Sequence, residues 1–72
     1  MLPREDLLTL AKRHVEQGRQ RVDRQREVVH NLKSAGLETK VNEDVLHLFE
    51  RLLAKAEGDH ARVSRDKANL LR

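Results

Sequence analysis

The sequence predicts an all-α protein: an antiparallel two-helix coiled-coil hairpin that dimerises into a four-helix bundle. Three observations predict it. Apolar side chains recur every seven residues in two separate stretches, Leu8 to Leu32 and Leu46 to Leu70. A glycine break lies between the stretches, at Gly36. Charged residues make up 38% of the chain and aromatic residues 1%, a balance that suits long amphipathic helices and not a globular core. Seventy-two residues make one domain, here 1–72, and a chain this short rarely builds a stable core without disulfides, metal or oligomerisation. Cysteine is absent, so disulfides and thiolate metal sites are excluded.

The first helix is predicted over residues 3–35. Pro3 tolerates a first helical turn because its missing N–H has no intrahelical partner there. Glu5 and Asp6 place negative charge near the positive end of the helix dipole. Gly36 ends the helix, since glycine enters the left-handed conformation at little cost. Leu37 just beyond it and Leu32 in the last turn have the spacing of the apolar contact that accompanies a Schellman motif. The loop is predicted over 36–39, a length that joins antiparallel helices. Thr39 is the expected N-cap of a second helix over 40–71, with Glu43 and Asp44 early in it.

In helix one, Leu8, Val15, Val22 and Val29 take the a positions of the heptad, and Ala11, Gly18, Gln25 and Leu32 take d. In helix two, Leu46, Leu53, His60 and Lys67 take a, and Phe49, Ala56, Val63 and Leu70 take d. Antiparallel pairing sets a against d. Size matching then gives the layers Leu8–Leu70, Ala11–Lys67, Val15–Val63, Gly18–His60, Val22–Ala56, Gln25–Leu53, Val29–Phe49 and Leu32–Leu46. In this alignment Gly18 makes room for His60, a polar core layer. The e flanks agree: Lys33, Arg26 and Arg19 of helix one meet Glu43, Glu50 and Glu57 of helix two. Such pairs fix register and orientation more than they stabilise.

The opposite flank stays apolar near the loop. Val28, Leu37, Val41, Val45, Leu48 and Leu52 form one exposed patch on a lone hairpin, and patches of this kind mark interfaces. Two-fold dimers are the commonest homo-oligomers, so the partner expected first is a second copy of this chain, and after it another protein. Leu7, Leu10 and Leu71 form a smaller apolar group at the open end.

Chemistry is sparse. A metal site needs three or four converging ligands. His30 and His47 point apart, and His14 and His60 offer at most a polar layer or a pH-sensitive contact. Ser34 and Ser64 lack a base and its orienting partner. No phosphate-binding loop or metalloprotease motif occurs. The chain is therefore expected to be non-enzymatic, with no cofactor and no metal.

The rival reading is nonspecific nucleic-acid binding. Net charge is +3, and residues 12–26 carry six basic against two acidic side chains. A basic surface over 12–26 and 62–72, with Arg13, Arg21, Arg24, Arg62 and Arg65 as contacts, binds phosphates without reading sequence. Against it, there is no aromatic stacking platform and no helix-turn-helix spacing. No apolar run is long enough for a membrane span and the N-terminus has no signal-peptide core, so a cytoplasmic location is expected.

Residues 14–29, His-Val-Glu-Gln-Gly-Arg-Gln-Arg-Val-Asp-Arg-Gln-Arg-Glu-Val-Val, with Gly36-Leu-Glu-Thr39 and Leu48-Phe-Glu50, resemble a family of short, uncharacterised proteobacterial proteins frequent in rhizobia. The likeness covers roughly residues 11–65. It implies a small bacterial helical hairpin with no assigned activity and no catalytic residue. Leu37 stands where that family has a polar turn residue, which favours an interface near the loop.

Overall fold

The computed structural model describes residues 6–70. Two helices, α1 over Leu7–Ser34 and α2 over Lys40–Leu70, pack side by side in a hairpin with extents of 56 × 27 × 14 Å. Among the described residues no helix is long and apolar enough to cross a membrane.

Asp6 marks where α1 begins. Its extended backbone (φ −59°, ψ 137°) breaks the helix, and its Oδ1 accepts a hydrogen bond from the Leu8 amide at 3.0 Å. That is ordinary aspartate capping, which satisfies an amide that the helix leaves without a partner. Pro3, Glu5, Leu71 and the outer ends of the predicted helices lie outside the described residues.

The other end of α1 follows the expected motif in detail. Gly36 has φ +71°, the left-handed region. The Leu37 amide donates to the Leu32 carbonyl at 2.9 Å and the Gly36 amide to the Lys33 carbonyl at 3.0 Å. These are the two bonds of a Schellman cap. Thr39 occupies the cap position of α2, but the acceptor for the first amides is Glu38. Its Oε1 takes bonds from the Thr39 and Lys40 amides at 3.1 and 3.0 Å.

The seam is thin. Ala11, Val15, Val22 and Val29, all on α1, are the buried apolar residues, and α2 contributes none among the described residues. They hold the d, a, a and a positions assigned to them. On α2 the a and d residues from Leu46 to Lys67 are half-buried, as are Thr39 and Asn42, one step earlier in the same repeat.

The register differs from the size-matched one by a heptad. A Cβ built on Gly18 meets Leu53, with Cδ1 at 3.1 Å and Cα at 3.6 Å, so Gly18 makes room for Leu53 and not for His60. His60 is half-buried at the edge of the seam, beside Lys12, Val15 and Glu16. Leu70, expected to cover Leu8, is 85% exposed. Lys67, expected over Ala11, instead reaches Asp6 Oδ2 at 2.6 Å.

The physical reason is a polar contact. Gln25 Nε2 donates to the Asn42 carbonyl at 2.9 Å and approaches Asn42 Oδ1 at 3.3 Å. Against Leu53, the same half-buried amide would face hydrocarbon, which costs free energy unless water reaches it. No buried side-chain nitrogen or oxygen among the described residues lacks a partner. Two of the expected flank pairs survive the shift, Lys33–Glu43 at 3.1 Å and Arg26–Glu50 at 3.6 Å, because long basic side chains span the offset. Arg19 and Glu57 line one shallow groove with His60 without closing to ion-pair distance.

Candidate interaction surface

Heptad geometry puts positions d, g and c of each helix on one side of the hairpin. On α1 these include Leu7, Leu10, His14, Gln17, Arg21 and Val28; on α2 they include Val41, Val45, Leu48, Leu52, Asp59 and Arg62. Between the two helices on this side runs an open groove of about 590 Å³. It extends from Leu7 and Val63 at the open end to Phe49 and Leu52 toward the loop.

The face is banded. Toward the loop α2 and the turn present apolar side chains, Leu52 at 50% exposed, Leu48 44%, Val41 71% and Leu37 59%, while α1 presents exposed Val28 beside Arg21 and Arg24. Val45 alone of the six predicted patch residues is half-buried. Leu7 and half-buried Leu10 give a second apolar band at the open end. The sequence treated these as separate groups, and the groove joins them into one face. Between the bands lies an ionic cluster on α2, where Asp59 is held by Lys55 Nζ at 3.1 Å and Arg62 Nη2 at 3.0 Å. His14, Gln17 and Arg21 flank it from α1.

Exposure is the chemical point of this surface. Val, Leu and Ile side chains gain roughly 1.5–3 kcal/mol when fully buried, so a half-exposed leucine leaves about 1 kcal/mol unrealised. Several such residues side by side make a surface that a partner can cover.

The arginines proposed for phosphate contact do not share one surface. Arg21, Arg24 and Arg62 hold g and c positions on the groove side, and Arg62 already pairs with Asp59. Arg13 and Arg65 hold f positions on the far side from the seam. All five are exposed. His30 and His47 are exposed as well, and no group of three or more histidines, aspartates or glutamates among the described residues could hold a metal ion.

Two carboxylates have shifted acidities. The ammonium of Lys67 and the Leu8 amide, both hydrogen-bonded to Asp6, hold its carboxyl below the usual 3.8. Lys33, first by its hydrogen bond and then by its charge, holds Glu43 below 4.5, with a smaller hydrogen bond from Thr39. Both tie the helices or their ends together, and neither lies in the groove.

Asn42 is the residue that sequence reasoning missed. Its signal was the repeat itself, since Asn42 stands one heptad before Phe49 and a polar residue there calls for a polar partner.

No family model, curated protein or solved structure matches the chain.

Proposed function

We propose that this chain is a non-enzymatic assembly module of the bacterial cytoplasm that works as a homodimer, two hairpins packing groove face to groove face as a four-helix bundle. One observation carries the reading. Among the described residues the hairpin buries four apolar side chains, all on α1, while Leu37, Val41, Leu48, Leu52 and Val28 stay exposed along the loop half. A second hairpin supplies the core that α2 lacks. Bundles of this kind bury the inward faces of four helices at once.

Sedimentation at micromolar concentration tests it. The dimer sediments at twice the 8.4 kDa monomer mass. Leu52→Glu removes apolar contact and buries a carboxylate without a partner, a cost of several kcal/mol that the two-fold axis applies twice. That variant sediments as a monomer. A wild-type chain that stays folded at 8.4 kDa would refute the reading.

A second reading, nonspecific binding of nucleic acid, is favoured by the exposure of Arg13, Arg21, Arg24, Arg62 and Arg65. Their division between two faces weighs against it. A gel-shift series against salt separates the two readings, because phosphate contacts weaken steeply as salt rises. Absence of any shift at low salt removes this one.

A further inference from the structure

We draw no further inference here: the strongest candidate, the open groove between α1 and α2 on the face that exposed Leu48 and Leu52 of α2 share with exposed Arg21 and Arg24 of α1, carries nothing because nothing in the structure shows what covers it.

Discussion

Replacing Gly18 by alanine measures how closely α1 approaches Leu53 of α2, with Gly58 as an internal control. In a helix interior glycine costs about 1 kcal/mol relative to alanine. A Cβ on Gly58 meets nothing within 4 Å, so Gly58→Ala gains that amount in full. A Cβ on Gly18 sits 3.6 Å from Leu53 Cα and Cβ, ordinary contact, but 3.1 Å from Leu53 Cδ1. Only the end of a flexible side chain must yield, by a few tenths of an ångström. That displacement costs less than the roughly 1–3 kcal/mol of an overpacked core, so Gly18→Ala gains between about 0 and 0.5 kcal/mol. At about 4–8 °C per kcal/mol for a chain of this size, Gly58→Ala raises the melting temperature by about 4–8 °C and Gly18→Ala by half of that or less. Thermal unfolding by circular dichroism, at one fixed protein concentration, reads both. Equal gains at the two positions would refute the Gly18–Leu53 contact. A loss above about 2 kcal/mol at Gly18 would mean that backbone, and not a side-chain tip, is what the new methyl meets.

Gln25→Leu removes one side-chain bond worth about 0.5–1.5 kcal/mol and returns apolar contact of similar size, so overall stability stays within about 1 kcal/mol. What it loses is the register. Labels at Gln20 and Arg51, on the outer faces of the two helices, show one distance in the parent and a second population in the variant. A single unchanged distance would show that Gln25 does not set the alignment. Acid acts through Asp6 and Glu43. Both carboxyls titrate lower in the fold than in the unfolded chain. Their contribution is thus full above the ordinary values of 3.8 and 4.5 and is lost as pH falls through the lowered ones. Asp6→Asn together with Glu43→Gln should flatten the fall of melting temperature below about pH 5. An unchanged acid limb in the double variant removes these two groups as its cause.

The helices, their break and their caps at the loop were legible because each rests on local chemistry. Gly36 and Leu37 could be placed from conformational preference and spacing alone. The exposed loop-half patch was legible for the same reason, since a seven-residue repeat assigns each side chain to a face. The register was not. A heptad pattern slid by one heptad maps onto itself, so apolar spacing allows both Gly18–His60 and Gly18–Leu53. Size matching favoured the first. The flank charges could not correct it, because Lys33 and Arg26 reach Glu43 and Glu50 from either alignment. Only the polar pair breaks the degeneracy, and Gln25 had been matched by volume and not by its need for an acceptor. The start of α1 was misplaced for a related reason: Asp6 was read for its charge and not for its carboxylate as a hydrogen-bond acceptor.

One carboxylate at the open end has a mechanical consequence. Asp6 closes the first turn of α1 with one oxygen and grips Lys67, sixty-one residues away in sequence, with the other. Unwinding that turn and peeling the two strands of the hairpin apart are therefore one event. Amide protons of the first turn of α1 and of the last turns of α2 should exchange with solvent in step, like two jaws on a single pin.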